Sequence, residues 1–102
     1  MAALTIELEG EGTIDNASIY LEDPSETIEH KLDPTTDTKW SKKVTLPVDD
    51  TLDYSLYVVA FSGTRFKCTI TRNDDGRSIE ISGITGAKIK SRANIKGSKN
   101  FK

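Results

Sequence analysis

Residues Leu52 to Ile81 decide the fold: Leu52-Asp-Tyr-Ser-Leu-Tyr-Val-Val-Ala-Phe61, then Ser62-Gly-Thr64, then Arg65-Phe-Lys-Cys-Thr-Ile-Thr71, then Arg72-Asn-Asp-Asp-Gly-Arg77 and Ser78-Ile-Glu-Ile81. Successive side chains of a strand point to opposite faces, so alternation is the strand signal. Arg65 to Thr71 alternates cleanly, with Phe66, Cys68 and Ile70 on one face and Lys67, Thr69 and Thr71 on the other. The run before it is apolar on both faces, Leu56, Val58 and Ala60 against Tyr57, Val59 and Phe61, which places it in the middle of a sheet or sandwich. The stretch reads as two hairpins in series. At the first, a two-residue Gly63-Thr64 loop sets Phe61 opposite Phe66, and a three-residue loop sets Ala60 there and brings Leu56 and Val58 into the core. Turn chemistry and the aromatic pair favour the two-residue loop. At the second, Ile70 faces either Ile79 or Ile81, and both choices keep the isoleucines on the Phe66-Cys68-Ile70 face.

Outward from this centre the chain continues in the same idiom. Leu4, Ile6 and Leu8 form a first strand, Thr13 to Leu21 a weaker second, Thr27 to Leu32 a third and Trp40 to Val48 a fourth whose end Pro47 weakens. After Gly83-Ile84-Thr85-Gly86, a last strand is expected over Ala87 to Ile95, and Gly97 to Lys102 reads as a frayed tail pinned by Phe101. No window holds helical periodicity. About eight short strands with frequent turns predict an all-β fold, an antiparallel β-sandwich or, alternatively, a small β-barrel, in one domain over residues 1–102.

The composition removes several kinds of chemistry. A single cysteine leaves no internal disulfide and no cysteine-based zinc site, and Cys68 reads as a small buried hydrophobe. The single histidine, His30, alternates with Ile28 and Leu32 as a half-buried strand residue. There is no Gly-x-Ser-x-Gly and no phosphate-cradling glycine loop before a helix, so no enzyme is expected. No apolar run approaches membrane-spanning length, and the first residues lack the basic and apolar regions of a signal peptide, which makes a cytoplasmic location the default expectation.

Three features carry functional expectations. If every connection reverses direction, one end of the sandwich collects Asp23, then Asp49 and Asp50, then Asp74 and Asp75; these are candidate calcium ligands, or ordinary turn formers that bond their own backbone. The net charge of −2 hides an uneven spread. Residues 1–38 hold ten acids and one base, whereas six bases and no acid follow Glu80. Lys88, Lys90, Arg92 and Lys96 form a basic stripe suited to a partner protein; no aromatic lies among them, so nucleic acid is not expected. The stripe is also expected to pair with Glu7 and Glu9 of the first strand, in this chain or in a second subunit. Trp40 is either a core residue or an exposed platform for a sugar or a partner. The expected function is a non-enzymatic interaction module that binds a partner protein or self-associates, with a calcium- or carbohydrate-binding module as the alternative.

Overall fold

A computed structural model describes residues 2–86 and 90–102. The described residues form strands β1 (Ala2–Gly10), β2 (Ile14–Leu21), β3 (His30–Lys31), β4 (Asp33–Pro34), β5 (Lys39–Leu46), β6 (Thr51–Ala60), β7 (Arg65–Arg72), β8 (Arg77–Ile84) and β9 (Arg92–Asn100). They build two antiparallel sheets, β4-β5-β1-β7-β8 (sheet A) and β3-β2-β6-β9 (sheet B). The fold is the expected all-β sandwich, and no helix among the described residues is long and apolar enough to cross a membrane.

The core is what alternation delivers from each layer. Leu4, Ile6 and Leu8 of β1 and Phe66, Cys68 and Ile70 of β7 face inward from sheet A; Ala17, Ile19 and Leu21 of β2 and Leu52, Leu56, Val58 and Ala60 of β6 face inward from sheet B. The β7–β8 hairpin takes the four-residue turn, with Ile70 opposite Ile79 and Cys68 opposite Ile81.

The first of the two expected hairpins is absent. β6 and β7 lie in different sheets, and Ser62-Gly63-Thr64 is a corner that carries the chain from sheet B to sheet A. Phe61 therefore does not face Phe66; it is 77% exposed while Phe66 is buried. The apolar faces of β6 and β7 meet across the core rather than side by side, and Leu56 and Val58 belong to that core. β6 is central in sheet B, between β2 and β9, as its two apolar faces require. Its second face, with Tyr57 and Val59, is the outer one.

Two further expectations are corrected. Thr27 to Leu32 is not one strand: β3 joins sheet B, β4 joins sheet A, and the fully buried Leu32 between them donates its N–H to the Ala17 carbonyl at 3.0 Å. Segment 30–34 thus seals one side of the sandwich. The last strand runs from Arg92 to Asn100 rather than Ala87 to Ile95, and Ala87, Lys88 and Ile89 lie outside the described residues. Residues 97–100 are strand, not frayed tail. The apolar alternation stops at Ile95 because the next two inward positions cannot show it. At Gly97 a Cβ would stand 2.9 Å from the Tyr54 hydroxyl, and Lys99 leads its amine out to the Glu80 carbonyl at 2.6 Å. Phe101 is buried, as expected of a pin.

The other side of the sandwich is a hairpin parted in its middle. The Gly86 N–H donates to the Arg92 carbonyl at one end, and Ser78 and Lys102 exchange backbone bonds of 3.0 and 3.1 Å at the other. Between them β8 and β9 diverge into their separate sheets.

Candidate functional site

The outer faces of the two sheets differ in kind. That of sheet A holds Thr5, Glu7 and Glu9 between Ser41, Lys39, Thr69 and Lys67, a mosaic of short polar and charged side chains with no aromatic. Register gives the outer face of sheet B three rows: Asn16, Val59 and Arg92; Ser18, Tyr57 and Asn94; Tyr20, Ser55 and Lys96. Tyr20 and Tyr57 are diagonal neighbours and meet edge to face, with ring centroids 5.8 Å apart at 81°. Both rings and Val59 are half-buried.

The 22–29 loop folds over one end of this face. Asp23 organises it by accepting the N–H groups of Thr27 and Ile28, each at 2.8 Å, and these bonds, that from Ile28 foremost, hold its carboxyl below the usual carboxylate range. Glu22 and Glu26 both adopt left-handed backbone, at φ 57° and 52°, a conformation that costs a side-chain-bearing residue about 1–2 kcal/mol. At Glu26 the cost is offset by its carboxylate, which accepts the Tyr57 hydroxyl at 2.7 Å and the Ser55 hydroxyl at 2.8 Å and pairs with Lys96 at 3.0 Å. Those donors, Tyr57 first, lower its pKa, and the pairing raises that of Lys96. The groove beside the loop, about 380 Å³, runs past Tyr20, Asp53, Lys96 and Ser98.

The acidic end forms largely as the strand count predicts, but its acids meet an arginine. Arg72, at the end of β7, donates to both carboxylate oxygens of Asp75, at 3.2 and 2.7 Å, and to the Asp49 carbonyl at 2.6 Å, and reaches Asp50 at 3.5 Å. Its guanidinium lies 4.7 Å from the centre of the Phe101 ring. Arg72 lowers the Asp75 pKa to about 2. Asp74 is exposed at the turn, and Asp23 serves its own loop. Among the described residues no three of His, Cys, Asp and Glu are grouped as metal ligands. Asp49, Asp50 and Asp75 thus converge on the Arg72 guanidinium.

The described part of the basic stripe divides between a turn and β9. Lys88 lies outside the described residues, Lys90 is in the turn before β9, and Arg92 and Lys96 are on the outer face of sheet B. β9 does not neighbour β1, so among the described residues the expected pairing with Glu7 and Glu9 is not made. Glu9 instead lies between Lys39 and Lys67, and Lys96 pairs with Glu26. The reason is topological: β1 is already enclosed by β5 and β7. Trp40 faces the core opposite Leu8 and is 8% exposed, which removes it as a stacking platform; its indole N–H has no partner among the described residues. Burial pushes the Cys68 thiol up to about 12, so it is an inert core group.

Sequence reasoning missed Tyr20, Tyr57, Glu26 and Arg72. A signal for the tyrosines existed: a strand apolar on both faces needs a core on only one of them. Nothing in the sequence places Glu26 over β6. Compared with known protein families, curated proteins and solved structures, the chain shows no significant match.

Proposed function

We propose that the protein is a non-enzymatic interaction module that docks a partner protein on the outer face of sheet B. The observation that carries this reading is the composition of that face. Tyr20, Tyr57, Val59, Asn16, Asn94 and Arg92 occupy adjacent register positions, around the buried Ser18 and Ser55. Tyrosine and arginine are enriched at protein interfaces, and tyrosine, serine and asparagine dominate binding surfaces that are rigid yet adaptable. A tyrosine brings large apolar area with only two rotatable side-chain angles to freeze, so its ordering costs little on binding. The outer face of sheet A has the residues of an ordinary solvated surface. The alternative of a calcium or carbohydrate module has less support, since Arg72 takes up the acidic end and Trp40 is in the core.

A photo-crosslinking amino acid introduced at Tyr20 or Val59, in cells that express the chain, tests the reading against the same probe at Thr69. A discrete adduct from the sheet B positions, absent from Thr69 and lost on Tyr57→Ala, is expected. An adduct at twice the mass of the chain identifies the partner as a second copy. Equal yields from the two faces, or none from either, overturn the proposal.

A further inference from the structure

Where β8 and β9 part, the backbone of β8 lies open for some of its length. Ser78 turns both its N–H and its carbonyl away from β7 and exchanges bonds with Lys102. Strand alternation turns those of Glu80 and Ser82 the same way. Neither residue has a backbone partner on that side among the described residues. Ile95 packs against Gly83 at one end of the gap, and the Ser78–Lys102 bonds close the other. A cleft of about 590 Å³ lies at the bonded end, lined by Ser78, Ile79, Glu80, Lys99, Asn100 and Lys102.

Lys99 crosses this gap. It stands opposite the fully buried Leu52 in register, so its position on β9 faces the core. Ala93 and Ile95, the earlier β9 residues on that side, are apolar and partly buried. Lys99 instead leads its amine across the cleft to donate to the Glu80 carbonyl at 2.6 Å. The amine thereby occupies an acceptor that an added strand would need, and it brings a charge to the edge. Lysines and inward-pointing charges on edge strands oppose pairing with another chain.

We propose that Lys99 bolts a self-pairing edge, and that the strand its amine keeps out is β8 of a second copy. Register and charge select that occupant. Antiparallel pairing about Ile81 sets Glu80 of each copy opposite Ser82 of the other. The two residues then exchange their open backbone bonds, and no like charges stand opposite one another. β9 carries Arg92, Lys96 and Lys99 and no acid, so two copies of that strand repel. The inference does not involve the outer face of sheet B, and association through the edge is read as a difference from wild type.

Sedimentation across a concentration series tests the bolt. Lys99→Ser removes the amine without adding apolar surface. It should associate reversibly, toward twice the mass that wild type shows at the same concentration. Lys99→Arg should behave as wild type. Adding Ser82→Pro to Lys99→Ser deletes an outward N–H and should restore wild-type behaviour, whereas adding Ser98→Pro on β9 should not. Lys99, Ser82 and Ser98 are all exposed, so melting temperatures near that of wild type establish that the variants fold. If Lys99→Ser does not fold, Lys99→Gln, which keeps the stem, takes its place in the same series. A variant mass that tracks wild type at every concentration overturns the proposal. So does association that survives Ser82→Pro or is lost on Ser98→Pro, and so does a wild type whose own association Ser82→Pro abolishes.

Discussion

Cys68 and Arg72 are four residues apart on β7, and each shows what a single position demands of its surroundings. Cys68 is fully buried between Ile81 and Leu8 in register, and a charge placed there would be buried with it. Cys68→Asp is expected to cost about 3–5 kcal/mol, read from chemical denaturation, whereas the volume-conserving Cys68→Val should cost less than about 1.5 kcal/mol. Arg72 bonds three acidic positions and lies against Phe101, so Arg72→Ala should lower the melting temperature further than Arg77→Ala, whose guanidinium stands 3.7 Å from Asp75 and is largely exposed. Asp75 of this cluster and two carboxylates of the 22–29 loop set an acid limit. Asp75, Asp23 and Glu26 all titrate below their ordinary values near 3.8 and 4.5. Their contribution is present above those ordinary values and is lost as pH falls through the folded ones, for Asp75 down to about 2. The melting temperature of wild type should therefore fall steeply from about pH 4.5 toward pH 2. It should fall less steeply in Asp75→Asn, which begins from a lower value at neutral pH.

At the scale of elements, β1, β7 and the β7–β8 hairpin were legible because each has one apolar and one polar face and a turn rich in Asn, Asp and Gly. The connection between β6 and β7 was not. Glycine serves a tight hairpin and a corner between layers equally well, and what separates the two here is Thr85, a residue twenty-one positions beyond Thr64 that bonds the corner shut. β9 was displaced in the reading because Gly97 and Lys99 occupy inward positions for reasons that only Tyr54 and Glu80 supply. The acidic end was legible as a gathering of loops, but its ownership by Arg72 was not, since Arg72 reads as the last polar residue of a strand. The corner makes a specific prediction. Gly63 has φ 90° with open space around it, so Gly63→Val is strained by its backbone alone and should cost about 1–2 kcal/mol. A hairpin with Phe61 against Phe66 would make Phe61→Ser damaging as well, whereas the exposed Phe61 of the corner tolerates it. Equal tolerance of both substitutions in thermal melts would contradict the corner.

For the molecule as a whole, the sides of the sandwich matter as much as the core. Segment 30–34 closes one side, whereas on the other side, among the described residues, the edge strands β8 and β9 are bonded to each other only at their ends and diverge between them. The position of β1 has a consequence in time. It is the central strand of sheet A, hydrogen-bonded on both sides, yet its partners β5 and β7 end only at Leu46 and Arg72. Chains whose pairings span such separations fold in milliseconds to seconds. Stopped-flow refolding followed by Trp40, which lies opposite Leu8 on β1, should show a single phase in that range; a microsecond phase carrying the full amplitude would contradict the pairing order. On the ribosome the delay is longer still. At about 5–20 residues per second, Leu4, Ile6 and Leu8 leave the tunnel seconds before β7 can cover them, and for that interval the future centre of the sheet is uncovered apolar chain.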